Sequence, residues 1–342
     1  MNILLHTRFY PNTGGIETVA WLLVHEWHRL KESVTVVSDV ACTPADRREF
    51  PFPVHYRPNP VQWLRLLRQA DVFVHMNISL RALWPLLIVR RPFVAVNHAY
   101  YYTDSSGHRG WRDRLKLRLT ARAVNIAVSQ SVADRMPAPC VVIPNPAELS
   151  LFQADAHTGR SKDLVFLGRL VSDKGCDLLI QALGRLAGRG LRPGLTIIGG
   201  GPERSRLEQL AASLKLQGQV AFAGAPPSDE VAALLRQHNV LVVPSTYEES
   251  FGVVALEGAA CGCVVLGSDG GGLPEAIGPA GLTFRRGDVA DLVEKLGHVL
   301  RHPESWRLYR EAAPAHLELH RPCRVAKRYL EVFLRATETA PA

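Results

Sequence analysis

The chain has 342 residues, 47% of them hydrophobic, and this length predicts two domains because a single core stops growing at roughly 250–300 residues. No apolar run approaches the roughly 20 residues that span a bilayer. The first residues contain no basic segment followed by a long apolar region, as a secretion signal would. These features argue against an integral membrane protein and predict a cytoplasmic one.

The net charge of +8 lies mainly in the first half of the chain. Residues 1–155 hold 18 Lys and Arg against 12 Asp and Glu, whereas the remainder holds 22 against 20. A basic surface suits an anionic membrane, an anionic substrate or nucleic acid. The basic residues are not interleaved with a recognisable nucleic-acid module, so we expect no nucleic-acid partner. Of six scattered cysteines only Cys261 and Cys263 are close, which predicts no metal site.

Short β-branched and leucine-rich runs alternate with longer amphipathic stretches, the pattern of parallel strands joined by helices. In the first half, strands are predicted near residues 3–6, 34–38, 72–75, 93–97, 126–129 and 140–143. After a polar linker at 155–161, strands are predicted near residues 164–168, 195–199, 220–223, 240–243, 264–267 and 281–284. The fold class is therefore α/β, with two Rossmann-like doubly wound domains facing across a cleft. We assign residues 1–155 to the first domain, 156–318 to the second, and 319–342 to a C-terminal helix that packs back towards the first.

Two glycine-containing loops stand where a strand runs into a helix. Residues 11–17 contain Gly14 and Gly15 just before a helix, where free amides can approach an anion, although two glycines here are also typical of a tight turn. Residues 198–203 contain Gly200 in a Gly-Gly-Gly-Pro run that lacks the full dinucleotide fingerprint. Each loop is a weak signal alone.

Two cations flank the turn in Leu-Gly-Arg-Leu-Val-Ser-Asp-Lys-Gly, residues 167–175. Arg169 offers a forked contact and Lys174 a compact charge, so the pair suits a diphosphate. The alternative is two solvated surface cations.

The most informative segment is Pro-Ser-Thr-Tyr-Glu-Glu-Ser-Phe-Gly-Val-Val-Ala-Leu-Glu, residues 244–257. A loop presents Glu249, residues 250–253 supply free amides at a helix start, and Glu257 lies on that helix. Each carboxylate can accept hydrogen bonds from two hydroxyls, so one suits a sugar and the other a ribose. The alternative is one capping and one exposed glutamate.

Taken in order, these motifs and the later Gly-Gly-Leu-Pro-Glu275 resemble glycosyltransferase family four, which has the GT-B fold and retains the configuration of the transferred sugar. The resemblance implies that Arg169 and Lys174 neutralise the departing diphosphate and that Glu249 binds the donor sugar. It implies that His98, after the strand at 93–97, enters the active site as a fourth catalytic residue. It also implies a substrate-binding set formed by Gly14, Gly15, Gly200, Ser250, Phe251, Gly252, Val253 and Glu257. The family pattern breaks at Pro146, which stands where glycine is usual.

The resemblance implies transfer of a hexose-type sugar from a nucleotide-diphosphate sugar to a glycan, a lipid-linked or a small-molecule acceptor. The absence of an Asp-x-Asp triplet agrees with a metal-independent reaction, and no cofactor is expected. The rival hypotheses are a nucleotide-sugar epimerase and a non-catalytic partner of the same fold. An NAD-dependent enzyme is disfavoured because the glycine fingerprint is incomplete.

Two features bear on the acceptor. The basic segment 111–122 places Trp111, Leu115 and Leu119 on one helical stripe, which suits peripheral contact with the inner face of the membrane or packing within the domain. The tyrosines at 100–102 follow His98 and suit either stacking on an acceptor sugar or half-buried packing.

Overall fold

The computed structural model describes residues 1–10, 14–42, 48–101, 110–155 and 159–338. The chain divides into two compact units. Unit 1 comprises Met1–Pro146 and His320–Ala342, and unit 2 comprises Ala147–Leu319. Each unit is built around one parallel sheet.

The sheet of unit 1 has seven strands in the order β3-β2-β1-β4-β5-β6-β7, all parallel. The order reverses between β1 and β4, which makes this pair the switch point of the sheet. The strands are β1 (Asn2–His6), β2 (Ser33–Ser38), β3 (Val54–Tyr56), β4 (Val72–Met76), β5 (Phe93–Asn97), β6 (Val124–Ala127) and β7 (Cys140–Val142). The helices between them are α1 (Gly15–Arg29), α2 (Pro60–Gln69), α3 (Leu80–Leu83), α4 (Trp111–Thr120) and α5 (Gln130–Ala133).

Strand β3 was not predicted from the sequence. It has three residues, all half-buried, and pairs along one edge with β2. Pro51, Pro53 and Pro58 lie around it and break the apolar alternation that would mark a strand. Its pairing with β2, rather than its own pattern, fixes it as a strand.

The sheet of unit 2 has six parallel strands in the order β10-β9-β8-β11-β12-β13, with its switch point between β8 and β11. The strands are β8 (Lys162–Leu167), β9 (Leu195–Ile198), β10 (Val220–Gly224), β11 (His238–Val243), β12 (Val264–Ser268) and β13 (Gly281–Phe284). The helices are α6 (Cys176–Gly188), α7 (Arg204–Ser213), α8 (Ser228–Gln237), α9 (Val253–Ala260), α10 (Leu273–Ile277), α11 (Val289–Arg301) and α12 (Trp306–Glu318).

The division between the units falls directly after Pro146, nine residues before the boundary that the polar linker suggested. Residues 147–155 therefore belong to unit 2. The reason is packing: Phe152 is buried, and the Cβ atom of Ala154 lies beside Gly262 of the same unit. The polarity of residues 155–161 therefore did not mark the boundary between the units, and residues 156–158 of that segment lie outside the described residues.

The C-terminal helix α13 (Pro322–Glu338) belongs to unit 1 and packs on α1. The indole Nε1 of Trp27 donates to the carbonyl of Ala326 at 3.2 Å, and the Trp27 and Phe333 rings lie 5.2 Å apart. Pro322 occupies the first turn of α13, where its missing N–H costs no hydrogen bond.

Candidate active site

The two loops that follow β8 and β11 are joined at the carboxyl edge of the unit 2 sheet. The amide of Thr246 donates to the carbonyl of Asp173 at 2.9 Å. Gly175 has a φ of 66°, and a Cβ atom there would lie 1.9 Å from the carbonyl oxygen of Pro244. Only glycine fits this left-handed position against a neighbouring backbone, so the sequence Lys-Gly holds the two loops in contact.

Lys174 and Glu249, both predicted as catalytic, meet across these loops. Their Nζ and Oε1 atoms lie 2.6 Å apart, and the Glu249 side chain is only 8% exposed. The hydroxyl of Ser245 also donates to Oε1 at 2.7 Å, and the hydroxyl of Tyr247 donates to Oε2 at 2.6 Å. The carboxylate is therefore held in one orientation by three donors.

Tyr247 links the cation and the carboxylate of this group. The Lys174 ammonium lies 2.9 Å from its hydroxyl and 4.9 Å from its ring centroid, within the range of a cation–π contact. Burial, followed by the negative charge of Glu249, raises the pKa of Tyr247. The phenol therefore stays protonated and acts as a donor to Glu249.

Arg169, the second predicted cation, follows β8 and is exposed. Its charge acts on Tyr247, so the guanidinium lies near the Lys174 and Glu249 pair. Its side chain makes no hydrogen bond or ion pair with any residue that the structure describes. An unpaired guanidinium beside a paired ammonium leaves net positive charge at this edge of the sheet.

Helix α9 begins where the loop after Glu249 ends. Gly252 caps it with a φ of 100°, and a Cβ atom there would lie 2.6 Å from Leu273. Phe251 is 2% exposed and anchors the loop. The amide of Gly272 donates to the carbonyl of Glu249 at 2.7 Å, which fixes the other side of the loop. The first amides of α9, from Val253 onward, thus lie close to Glu249.

Glu257 lies one turn into α9 and is partly buried. Burial, with a further contribution from the carboxylate of Glu148, raises the pKa of Glu257 to about 7. Burial also raises the pKa of Glu148. Because both carboxyls lie in poorly solvated surroundings, the pair favours keeping one bound proton. A ligand hydroxyl that donates a hydrogen bond would stabilise the charged carboxylate in place of that proton.

The glycine loop after β9 packs against the loop that carries Arg169. The amide of Leu170 donates to the carbonyl of Gly200 at 2.8 Å, and a Cβ atom on Gly201 would lie 2.3 Å from the carbonyl of Leu170. Its glycines therefore permit close contact between two backbones. The predicted substrate role of Gly200 stays a prediction beside this packing role.

His98, the predicted catalytic residue of unit 1, follows β5 and is 4% exposed. Its backbone amide donates to Oδ1 of Asn77 at 2.9 Å. Its Nε2 atom is buried and has no hydrogen-bond partner in the described part of the chain. Burial lowers the pKa of His98 to about 4, so the imidazole is neutral near pH 7. The predicted catalytic role of His98 stays a prediction.

Gly14 and Gly15 lie at the start of α1, as predicted, but neither has a positive φ. A Cβ atom on Gly15 would meet nothing within 4 Å among the described residues, so its backbone is open to approach. The three residues before Gly14 in the predicted loop lie outside the described residues.

The acceptor-side predictions are partly resolved. The Tyr101 hydroxyl donates to Oδ1 of Asn97 at 2.9 Å, so this tyrosine packs within unit 1, whereas Tyr102 lies outside the described residues.

On α4, Trp111 is 68% exposed and Leu115 is 39% exposed, while Leu119 is half-buried against the core. The apolar stripe therefore does not pack into the domain along its whole length.

Comparison with known proteins assigns the chain to a family. Residues 13–151 match the family model described as Glycosyltransferase Family 4, and residues 150–316 match that described as Glycosyl transferases group 1. The gpi3 subunit of phosphatidylinositol N-acetylglucosaminyltransferase of Schizosaccharomyces pombe is 33% identical over 326 residues, covering 85% of this chain and 71% of that protein. The chain belongs to the group 1 glycosyltransferases of family 4.

Other relatives of this glycosyltransferase match over a shorter region. The D-inositol 3-phosphate glycosyltransferase of Corynebacterium jeikeium is 35% identical over 166 residues, which span 46% of this chain and 39% of that protein. The crystal structure of Anabaena Alr3699/HepE in complex with UDP-glucose has a TM-score of 0.79 at 19% identity, covering 98% of this chain and all of that one. The predicted GT-B fold is confirmed.

Sequence reasoning about this glycosyltransferase missed Ser245, Tyr247 and Glu148. All three stand in or beside segments that the motif analysis quoted. A serine or tyrosine in a loop gives no sign of which way it faces, and Glu148 is distant from Glu257 along the chain. Their contacts depend on loop conformation and on the pairing of separate segments.

Proposed function

We propose that this glycosyltransferase moves a hexose-type sugar from a nucleoside diphosphate sugar to an acceptor hydroxyl, with retention of configuration and without a metal ion. The observation that carries the proposal is the Lys174–Glu249 pair, held at 2.6 Å between two loops that Gly175 locks together. A buried carboxylate beside a cation and a helix N-terminus suits a sugar joined to a diphosphate.

In this proposal unit 2 binds the donor. Glu257 accepts hydrogen bonds from the ribose hydroxyls, while Arg169, Lys174 and the first amides of α9 contact the diphosphate. Glu249 accepts hydrogen bonds from sugar hydroxyls. The structural similarity to HepE in complex with UDP-glucose supports a nucleotide-sugar donor.

The chemistry follows from where charge develops. As the bond from the sugar to the leaving phosphate stretches, negative charge grows on the diphosphate, and fixed cations and amides stabilise it without a metal. The acceptor attacks from the same face, and the leaving phosphate oxygen takes the acceptor's proton. His98, neutral because burial lowers its pKa to about 4, contributes a hydrogen bond rather than a charge.

The acceptor is a hydroxyl of a glycan, a lipid-linked or a small-molecule compound, and the enzyme works in the cytoplasm. The relatives' names include D-inositol 3-phosphate and phosphatidylinositol, which supports an acceptor related to membrane lipid. The exposed Trp111 and Leu115 on basic helix α4 fit peripheral contact with an anionic bilayer. No described helix is long and apolar enough to cross a membrane.

Nucleotide binding in EDTA tests the donor assignment. UDP, GDP and ADP are titrated into the full chain, into Lys174→Gln, and into Lys162→Gln, an exposed lysine on β8 that serves as the matched control. We expect one nucleotide series to bind, Lys174→Gln to weaken it about 10- to 100-fold, and Lys162→Gln to leave it unchanged. Failure of every nucleotide to bind would sink the transferase proposal.

Turnover and stereochemistry are tested with the sugar of the nucleotide that binds. Donor consumption in EDTA, followed by NMR of the anomeric proton of the product, is expected to show the donor's configuration retained. An inverted product, or a rate that disappears in EDTA, would contradict the mechanism. Tight donor binding without any turnover would favour a non-catalytic partner.

Membrane contact is tested by flotation with vesicles. Vesicles rich in phosphatidylglycerol are expected to carry the protein, and Trp111→Ser is expected to reduce its flotation several-fold. Equal flotation with neutral vesicles, or no change in the variant, would remove α4 as the contact surface.

A further inference from the structure

The loops after β11, β12 and β13 stay joined beyond the ends of these neighbouring strands. Glu249 forms a single parallel bridge with Gly271, and the amide of Gly272 donates to the Glu249 carbonyl at 2.7 Å. The amide of Asp269 likewise donates to the carbonyl of Phe284 at 2.9 Å. The backbone of Glu249 is therefore held by the loop after β12, and that loop is held in turn by the end of β13.

Arg286, in the loop after β13, connects all three loops. Its backbone amide donates to Oδ1 of Asp269 at 2.9 Å. A Cβ atom on Gly270 would lie 2.7 Å from Cδ of Arg286 and 3.4 Å from its Nη1, so the side chain lies directly over Gly270. Nη1 of Arg286 also lies 3.6 Å from Oε1 of Glu248. The side chain thus crosses the loop after β12 and reaches the residue next to Glu249.

Gly270 permits this crossing by its size and not by its backbone conformation. Its φ is not positive, so alanine can adopt the same backbone. The three heavy atoms nearest to an added Cβ atom all belong to the flexible side chain of Arg286. Alanine at position 270 would therefore displace the Arg286 side chain without moving the backbone.

The ion pair between Arg286 and Glu248 is partly open to solvent. The two side chains are 36% and 29% exposed, and exposed ion pairs contribute little to the stability of a fold. A weak restraint can nevertheless affect turnover, because misplacing a reacting group by about 1 Å can cost roughly 100-fold in rate. The ion pair is therefore expected to matter for the position of the neighbouring Glu249 rather than for folding.

We infer that Arg286 is a positioning residue, which acts through Glu248 to hold Glu249 where the donor sugar requires it. The inference rests on the proposed function, in which Glu249 binds the sugar. Arg286 makes no contact with the diphosphate in this account, since Arg169, Lys174 and the first amides of α9 bind that group. Its loss therefore lowers kcat more than it weakens the binding of the nucleotide.

Amide hydrogen exchange of the ligand-free full chain, followed by NMR, tests the restraint independently of catalysis. Arg286→Gln is expected to speed exchange of the Gly272 amide, which donates to the Glu249 carbonyl, about 5- to 10-fold. Arg285→Gln is the matched control, because this neighbouring side chain is 72% exposed and pairs with Asp288. It is expected to leave that exchange unchanged. Equal exchange in Arg286→Gln and wild type would overturn the inference.

Steady-state kinetics of donor consumption tests the effect on the reaction. Arg286→Gln is expected to lower kcat about 5- to 20-fold while the Kd for UDP stays within about twofold of wild type. Arg286→Lys keeps the charge and is expected to recover part of the lost kcat. Arg285→Gln is expected to keep the wild-type kcat. Each variant is expected to unfold within about 2 °C of wild type, which shows that it is folded.

Two combined variants test the route from Arg286 to Glu249. Gly270→Ala is expected to lower kcat as much as Arg286→Gln does, and to cause no further loss when added to it, because both remove the same side-chain contact. Glu248→Gln combined with Arg286→Gln is likewise expected to lose no more than the larger single loss. Additive losses of Arg286→Gln and Glu248→Gln would show that the two side chains act separately, and would overturn the inference.

The outcomes for the inference and for the proposed function are distinguishable. Turnover with the same kcat in wild type and Arg286→Gln would overturn the positioning role and leave the transferase function standing. A rise in donor KM at unchanged kcat would assign Arg286 to donor binding and also overturn the positioning role. Failure of UDP to bind the wild-type chain would sink the transferase function and, with it, the role of Glu249 on which the inference rests.

Discussion

Glu249 receives two protein hydroxyls, from Ser245 and Tyr247, in addition to the Lys174 ammonium. Without these two hydroxyls, Lys174 alone among the three donors would hold the carboxylate, through one of its oxygens. The hydroxyls therefore act as positioning groups: they fix the plane of the carboxylate before a sugar arrives. Such preorganisation affects the transition state more than the initial binding of the donor.

Tyr247→Phe is expected to lower kcat about 10- to 100-fold with a small change in donor KM, because the ring over Lys174 remains but the hydrogen bond to Oε2 of Glu249 is lost. Steady-state kinetics of donor consumption measures the effect. Tyr309→Phe, a half-buried tyrosine of the same unit, is the matched control and is expected to be neutral. A rise in KM at unchanged kcat would refute a positioning role.

Glu257 predicts how donor binding depends on pH. Its pKa is raised from 4.5 to about 7, and only the charged form accepts hydrogen bonds on both oxygens from two ribose hydroxyls. Affinity for UDP is expected to increase about five- to tenfold from pH 6 to pH 8. Calorimetry of wild type and Glu257→Gln checks this, since the variant retains the titration of UDP itself but loses the contribution of Glu257.

The raised pKa of Glu257 also makes the stability of the fold depend on pH, and stability changes in the opposite direction to the affinity for UDP. Because the folded state binds the Glu257 proton more tightly than the unfolded chain does, its stabilising contribution is complete below pH 4.5 and is lost as the pH rises through about 7. Glu257→Gln is expected to gain stability over wild type at pH 8 but not at pH 4. Equal differences at both pH values would show that the carboxyl is not perturbed.

At the scale of elements, the site depends on backbone contacts between loops. The loop after β8 touches the loop after β11 at Gly175, and the glycine loop after β9 touches the first of these at Gly201. Three successive strand ends of the unit 2 sheet are therefore packed backbone to backbone. The spacing of Arg169, Lys174 and Glu249 is therefore set by this backbone packing as well as by the contacts of their side chains.

Gly175→Ala is expected to destabilise the protein by about 2–3 kcal/mol and to weaken nucleotide binding, because the new Cβ atom would meet the Pro244 carbonyl at 1.9 Å in a left-handed conformation. Gly188→Ala, at the end of α6 with nothing within 4 Å, is expected to stabilise by about 0.5–1 kcal/mol. Urea unfolding of the two variants compares them. Equal stabilities would mean that the loops are not held as described.

At the scale of the whole molecule, the chain returns to its first unit at its end. Helix α13 buries Tyr329 and Phe333 against α1, where Trp27 is fully buried. Unit 1 therefore needs residues from both ends of the chain to complete its core. Unit 2 is formed by one continuous segment.

Phe333→Ala is expected to destabilise unit 1 by about 3–5 kcal/mol, because it leaves a cavity beside Trp27. Leu334→Ala, whose side chain is 52% exposed, is the adjacent control and is expected to be within about 0.5 kcal/mol of wild type. Tryptophan fluorescence during urea unfolding measures both. The same loss of stability in the two variants would contradict the packing of α13 on α1.

The sequence by itself determined the family, the α/β class and all strands except β3. These follow from local patterns: apolar runs of strand length, glycines at turns, and the ordered set from Gly14 to Glu275. The tertiary structure decided the edge strand β3, the boundary at Pro146, and the donors that orient Glu249. It also decided the pairing of His6 with His75, which are 69 residues apart along the chain. Such contacts depend on which strands become neighbours and where loop side chains point, and no local pattern encodes either.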